Sequence, residues 1–153
     1  MKVTAYQLAE RCLGLTEIPG VADNPRVLAM LQLDQSWPEH DEVPWCSAFP
    51  NEICWWLRLP RSKSLLARSW LAVGQPIELE AAEVGFDVVV LQRGGGDQPG
   101  PENTTAPGHV GFYGGRDGNQ ILVLGGNQAN TVSVESYPTA RLLGVRRLHA
   151  SAC

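Results

Sequence analysis

The spacing of apolar residues changes about half-way along the chain, and this change restricts the fold more than any other feature. In the first part, apolar side chains recur every three or four residues, as at Tyr6, Ala9 and Leu13, which is the spacing of an amphipathic helix. From residue 86 onward, runs of β-branched residues alternate with glycine-rich turns. Helices followed by an antiparallel series of strands predict an α+β fold.

The helical part carries recognisable boundary signals. Asn24 is a good N-cap for a second helix, and Pro25 is a good first residue. A third helix is predicted over residues 46–59. Pro50 is compatible with this helix only if it lies in the first turn, because first-turn amides have no partner within the helix. A further short helical segment is predicted over residues 64–70.

The second half of the chain predicts strands joined by glycine-rich connections. A hairpin turn is expected from the pairs 114–115 and 117–118, which are Gly-Gly and Asp-Gly. The glycine run at 94–96 and three prolines predict a long flexible loop at about residues 92–108. The predicted strands cover residues 86–91, 109–113 and 121–124, with weaker candidates at 132–134 and 143–147.

The composition is that of an ordinary globular protein. The length of 153 residues predicts a single catalytic domain over residues 1–153, and we expect a monomer. The net charge of −4 gives no reason to expect nucleic acid or an anionic membrane as a partner. The first residues lack an apolar signal-peptide core, and no segment is long enough for a membrane span. We therefore expect synthesis in a bacterial cytoplasm without a signal peptide.

One of the four cysteines has a setting that predicts chemistry. The spacing of Cys12, Cys46, Cys54 and Cys153 fits neither a zinc site nor a disulfide framework. Cys46 lies at the predicted helix start, where unpaired amides and the helix dipole favour a thiolate. The backbone amides of Cys46 and Ser47 are predicted to hold the oxyanion of a tetrahedral intermediate. Cys46 is therefore the candidate nucleophile.

A thiol nucleophile needs a general base from elsewhere in the fold. Of the three histidines, His109 is favoured because it opens a strand and is flanked by glycines that permit close approach. His40 lies in irregular chain, and His149 lies near the C-terminus. Asn127 ends the next strand, where it could orient His109 or simply form a tight turn. If Asn127 is only a turn residue, Gln128 is an alternative for orienting the histidine.

Three motifs resemble those of a known group of enzymes. They are Pro-Trp-Cys-Ser-Ala-Phe at 44–49, Gly-His-Val-Gly-Phe-Tyr at 108–113 and Val-Leu-Gly-Gly-Asn-Gln at 123–128. In this order they resemble the papain-like cell-wall cysteine hydrolases, which include the NlpC-type peptidases and the CHAP amidases. The likeness is greatest to small phage- or bacterium-encoded members. Where many CHAP proteins carry an acidic residue, two positions before the asparagine, this chain has Gly125.

The resemblance implies a papain-like fold in which N-terminal helices pack on a C-terminal antiparallel sheet. It implies a catalytic triad of Cys46, His109 and Asn127, and hydrolysis of an amide in bacterial peptidoglycan. The bond would lie within the stem peptide or between muramic acid and alanine. A phage lysin that acts on the wall after release is the leading interpretation. The alternatives are a secreted antibacterial toxin with the same chemistry, and a non-catalytic wall-binding or phage structural module.

Other residues are candidates for lining the substrate cleft or for holding a cation. Trp45, Trp70 and Gln128 are the cleft candidates, whereas Trp55 and Trp56 are expected to pack in the interior. We expect no cofactor and no metal site. The acidic residues before the nucleophile include Asp41 and Glu42, which correspond to a calcium-binding region in some CHAP proteins. Their spacing lacks the regular alternation of a calcium loop and favours a solvated surface.

Overall fold

The computed structural model describes residues 2–20 and 22–148. Its helical part contains α1 (Ala5–Glu10), α2 (Pro25–Leu31) and α3 (Ala48–Leu57). Asn24 caps α2 by accepting a hydrogen bond from the Arg26 amide, with Pro25 at the first helical position, as predicted. The predicted segment at 64–70 is a 3-10 helix over Ala67–Ala72.

The second half forms a six-stranded antiparallel sheet, which confirms the α+β prediction. The strands are β1 (Gln75–Ile77), β2 (Asp87–Gln92), β3 (Gly108–Asp117), β4 (Gln120–Gln128), β5 (Thr131–Pro138) and β6 (Leu142–Arg147). Their order in the sheet is β1-β6-β2-β3-β4-β5. The short β1, which the sequence analysis did not predict, pairs with the outer edge of β6.

The two faces of the sheet bury different sets of side chains. We call the face that packs against the helices the helix face; Val90, Phe112 and Leu124 belong to it. Phe49 of α3 meets Phe112 edge-to-face there, with ring centroids 6.2 Å apart. The opposite face, called the second face, buries a separate cluster: Val89, Leu91, Tyr113, Ile121, Val123 and Val145. Successive residues of a strand point to opposite faces, so strand position decides which cluster a side chain joins.

The register shifts in three strand pairings, the first being β2 with β6, between Val90 and Leu91. In β3 the register shifts between Tyr113 and Arg116, so Gly114 and Gly115 lie inside the strand and not in the turn that was predicted for them. In β4 the register shifts between Gly125 and Gln128. This last irregularity adds one residue to β4 relative to β5 and is a β-bulge. It determines which side chain reaches the candidate site.

Three of the five tryptophans, Trp37, Trp55 and Trp56, lie on the surface, and for Trp56 this contradicts the predicted core position. Trp55 is 47% exposed and Trp56 is 60% exposed. Both lie on the outer side of α3, and their rings meet edge-to-face at 5.1 Å. Trp56 borders an apolar groove of about 770 Å³ that is also lined by Leu8 and Cys12. Among the described residues, no helix is long and apolar enough to cross a membrane.

Candidate active site

Cys46 lies directly before α3, as the sequence predicted. Ser47 is the N-cap of the helix, and Pro50 falls in the first turn, where its missing N–H costs no helical hydrogen bond. The Cys46 side chain is 3% exposed. The backbone N–H groups of Cys46 and Ser47, and that of Val110 in β3, lie near its sulfur and act to lower its pKa. The thiol therefore faces the residue that follows His109.

A buried network fixes the start of α3. The Ser47 hydroxyl donates to the Ser64 carbonyl at 2.6 Å and accepts from Trp70 Nε1 at 2.9 Å. Asn51 Nδ2 donates to the Ser47 carbonyl at 3.0 Å and to the Ser64 carbonyl at 3.1 Å. Trp70 is fully buried, so the prediction that it lines the substrate cleft is wrong. Its indole supports the backbone next to the nucleophile.

Trp45 is also fully buried and does not line a cleft. Its indole Nε1 donates to Glu17 Oε2 at 2.9 Å. The ring packs so closely under β4 that a Cβ at Gly126 would lie 2.7 Å from Trp45 Cζ3. Glycine is thus required at this position, because any side chain would push Trp45 and the adjoining nucleophile away from the sheet. The predicted cleft role of Trp45 is replaced by a packing role.

His109 lies on β3 and points to the second face. It is paired with Leu91 of β2, which belongs to the second-face cluster, and it is 6% exposed. On its other side, the pairing of β3 with β4 runs only as far as Phe112↔Leu124. Beyond that pair, the Val110 backbone N–H lies near the Cys46 sulfur. Cys46 and the backbone next to His109 therefore meet where the ladder between β3 and β4 ends.

The partner of His109 is Gln128. His109 Nε2 lies 2.9 Å from Gln128 Oε1. The other end of the amide, Nε2 of Gln128, donates to the Ser133 carbonyl at 2.8 Å and to the Val123 carbonyl at 3.3 Å. Since both partners are carbonyl acceptors, the amide orientation is fixed and Oε1 must accept. His109 Nε2 therefore carries the proton, and Nδ1 keeps a free lone pair for a base.

A tyrosine completes this arrangement and was not found from the sequence. The Tyr137 hydroxyl donates to Gln128 Oε1 at 3.0 Å, so the oxygen accepts from both the histidine and the phenol. The Tyr137 ring also stacks on the His109 ring in a tilted geometry, with centroids 5.4 Å apart. Tyr137 pairs with Ile121 across β4 and β5, which places it on the second face. Only the strand register reveals this proximity.

The structure does not bring Asn127 to His109, and the predicted triad is corrected on this point. Asn127 has a left-handed backbone with φ of 56°, and its side chain makes no hydrogen bond to His109. The bulge between Gly125 and Gln128 is the physical reason. Regular alternation would put Asn127 on the second face, but the added residue moves Gln128 there instead.

The absence of a side chain at Gly125 makes room for this contact. A Cβ at Gly125 would lie 2.9 Å from Gln128 Oε1 and 3.3 Å from His109 Nε2. Both distances are tighter than ordinary van der Waals contact, so an added methyl group would separate the amide from the ring. The acidic residue that many CHAP proteins carry at this position could not coexist with Gln128 in the observed conformation.

Burial dominates the electrostatics of the site. It lowers the pKa of His109 to about 4, the hydrogen bond that His109 donates to Gln128 acts in the opposite direction, and the Arg93 cation adds to the lowering. Burial also raises the pKa of Cys46, although Arg93 and the three backbone amides act against this. Both shifts favour a neutral thiol beside a neutral imidazole. Burial therefore opposes the thiolate that the helix start was predicted to favour.

The other candidate histidines and cysteines lie elsewhere. His40 is exposed, and its Nδ1 is 3.3 Å from Asp23 Oδ2. Cys54 is fully buried within α3, which raises its pKa to about 12. His149 and Cys153 lie outside the described residues. Within the described chain, these positions leave His109 as the histidine that accompanies Cys46.

A buried arginine binds the second half of the loop before His109, which the sequence predicts to be flexible. Arg68 is fully buried and donates to the carbonyls of Pro99, Gly100, Asn103 and Pro107, at 2.9–3.1 Å. Its Nη2 has no hydrogen-bond partner. Because Pro107 directly precedes the strand that carries His109, Arg68 anchors the segment that leads into this strand.

The acidic residues before the nucleophile bind backbone amides. Asp41 Oδ2 accepts from the Ile18 amide at 2.8 Å and the Asn24 amide at 2.6 Å. Glu42 Oε1 accepts from the Gly20 amide at 3.2 Å. In the part of the chain that the structure describes, no three His, Cys, Asp or Glu side chains form a group suited to a metal ion. The observed role of Asp41 is to hold the loops around the start of α2.

Comparison with known proteins identifies the fold. The structure is similar to that of NlpC1 from Trichomonas vaginalis, with a TM-score of 0.53 and 18% sequence identity. The match covers 94% of this chain and 42% of the other, so this chain spans less than half the length of that protein. No family model and no curated protein matches the sequence. The likeness supports an NlpC-type papain-like fold, and phage or CHAP features stay predictions.

Proposed function

We propose that this protein is a cysteine amide hydrolase that cleaves peptide in bacterial peptidoglycan with the residues Cys46, His109 and Gln128. The observation that carries the proposal is the fixed amide of Gln128. Its Nε2 is committed to two carbonyls, so its Oε1 must accept from His109 and set the tautomer of the ring. A histidine held in this way, beside a cysteine at a helix start, supports thiol-dependent acyl transfer.

The proposed reaction follows from this geometry. His109 Nδ1 takes the proton from Cys46 as the sulfur attacks the carbonyl carbon of the substrate amide. The developing oxyanion is stabilised by backbone N–H groups, for which the amides of Cys46 and Ser47 are the candidates. Protonated His109 then gives its proton to the leaving amine, and the C–N bond breaks. Water, deprotonated by His109, hydrolyses the thioester and regenerates the thiol.

The choice of peptidoglycan rests on the sequence motifs and on the NlpC-type fold. The test is to add purified protein to bacterial sacculi and follow the loss of turbidity, with mass spectrometry of the soluble products. New amino groups in the products would identify the amide that is cleaved. This assay separates a hydrolase, whether lysin or toxin, from a wall-binding module, which would sediment with the sacculi without releasing fragments.

The variant Cys46→Ala should abolish hydrolysis and leave the fold intact, because alanine fits the space of the thiol. Cys54→Ala is the matched control, since it removes a second buried thiol from the same helix region without touching the site. We expect Cys54→Ala to cost stability and to keep its turnover. Equal activity in wild type and Cys46→Ala would refute the proposed mechanism. Intact sacculi after incubation with folded wild-type protein would refute the proposed substrate.

A further inference from the structure

Arg93 is a cation beside the candidate site, and it has no partner among the described residues. It follows β2 directly, two residues after Leu91, which pairs with His109. Residues two apart on a strand share a face, so this position is a diagonal neighbour of His109. The side chain is exposed and makes no hydrogen bond or ion pair with any described residue.

Electrostatic coupling supports the same placement. The charge of Arg93 acts on Cys46, on His109 and on Tyr137, lowering the pKa of each. Arg141 also acts on Tyr137, and its Nη2 donates to the carbonyl of Gly94, the residue after Arg93. One acidic side chain, Glu135, raises the pKa of Tyr137. Arg93 is thus the cation whose charge reaches Cys46, His109 and Tyr137 alike.

We infer that Arg93 forms a subsite for a carboxylate of the substrate, next to the amide that Cys46 attacks. The inference deepens the proposed function and rests on it for the identity of the substrate. An unpaired guanidinium offers a planar pair of N–H donors that matches a carboxylate. The substrate class is thus a peptide with a free carboxylate close to the scissile bond, and amidation of that carboxylate weakens recognition.

The first test uses two small reagents and needs no cell-wall substrate. Iodoacetate and iodoacetamide alkylate thiols by the same displacement of iodide, but only iodoacetate carries a carboxylate. The rates at Cys46 are measured by mass spectrometry of the peptide that contains it, in wild type and in Arg93→Gln. Arg11→Gln is the matched control, because Arg11 is an exposed arginine on the helical side of the molecule. We expect Arg93→Gln to lower the iodoacetate-to-iodoacetamide rate ratio by about tenfold.

The second test uses sacculi before and after their carboxylates are amidated with carbodiimide and ammonia. We expect amidation to slow wild-type hydrolysis about tenfold and to have little further effect on Arg93→Gln. Arg11→Gln should behave as wild type in both tests. A reagent ratio that Arg93→Gln leaves unchanged overturns the subsite, and so does a Cys46 that reacts with neither reagent. A lowered ratio without hydrolysis of either kind of sacculus keeps the subsite and rejects peptidoglycan as the substrate.

Discussion

Replacing His109 by glutamine should make the fold less sensitive to mild acid. The imidazole is 6% exposed and has a pKa of about 4 in the folded protein, against 6.5 for an ordinary histidine. Between these two values the unfolded chain binds a proton that the folded chain does not. The free energy of unfolding should therefore fall as the pH drops from 6.5 to 4. The contribution of the neutral imidazole is fully present above pH 6.5.

The size of the effect follows from the two pKa values. At pH 5 the unfolded state gains about 2 kcal/mol from protonating this histidine, and the full difference below pH 4 is about 3 kcal/mol. His109→Gln removes the titrating group and keeps a side chain that can donate to Gln128. The loss of stability between pH 7.5 and pH 5 should thus be about 2 kcal/mol smaller in the variant than in wild type.

Urea unfolding followed by tryptophan fluorescence at the two pH values measures this difference. Groups that titrate equally in both proteins cancel, so absolute stabilities need not match. His40→Gln is the control, because it removes an exposed imidazole that lies outside the site, and we expect it to keep the full wild-type loss. If wild type and His109→Gln lose the same free energy between pH 7.5 and pH 5, the histidine is not buried in a neutral form and the proposed tautomer has no basis.

Two further predictions concern the residues that position His109. Gln128→Ala should lower the rate of hydrolysis about a hundredfold, because the His109 ring loses the acceptor that orients it. Asn127→Gly should keep nearly the wild-type rate, because glycine suits the left-handed backbone at this position. A turnover assay in which Asn127→Gly loses more activity than Gln128→Ala would restore Asn127 to the triad. Arg68→Met leaves the loop carbonyls without their donor. It should therefore lower the free energy of unfolding in urea by about 2–3 kcal/mol and speed amide hydrogen exchange across residues 99–107. An unchanged exchange pattern would show that the loop does not depend on Arg68.

The main elements of the fold could be predicted from local pattern. Asn24 and Pro25 mark the start of α2 through a cap and a fixed φ, and both act within a few residues of sequence. The β-branched run of β2 likewise predicts a buried strand by itself. Strand β1 (Gln75–Ile77) could not be predicted, because it has three residues and exists only through pairing with β6. Its stability comes from tertiary contact and not from propensity.

The residues of the candidate site also divide into those that a local sequence pattern predicts and those that only tertiary contacts reveal. Cys46 and His109 were found because a helix start and a glycine-flanked strand are visible in the sequence. Trp70 was misassigned because its burial depends on a hydrogen bond to Ser47, 23 residues away. Arg68 was overlooked because its guanidinium donates hydrogen bonds to carbonyls that lie 31–39 residues further along the chain. No local pattern distinguishes such an arginine from a solvated one.

The choice between Asn127 and Gln128 depends on a single inserted residue. Gly125 pairs with Ser133, and Gln128 pairs with Thr131, so β4 uses one residue more than β5 over this stretch. The extra residue turns Gln128 toward the second face, where Ser133 accepts from its amide nitrogen and His109 donates to its oxygen. A strand without the bulge would present Asn127 there, with a side chain one methylene shorter. The bulge therefore selects the orienting residue, and through it the nitrogen of His109 that is free to act as the base.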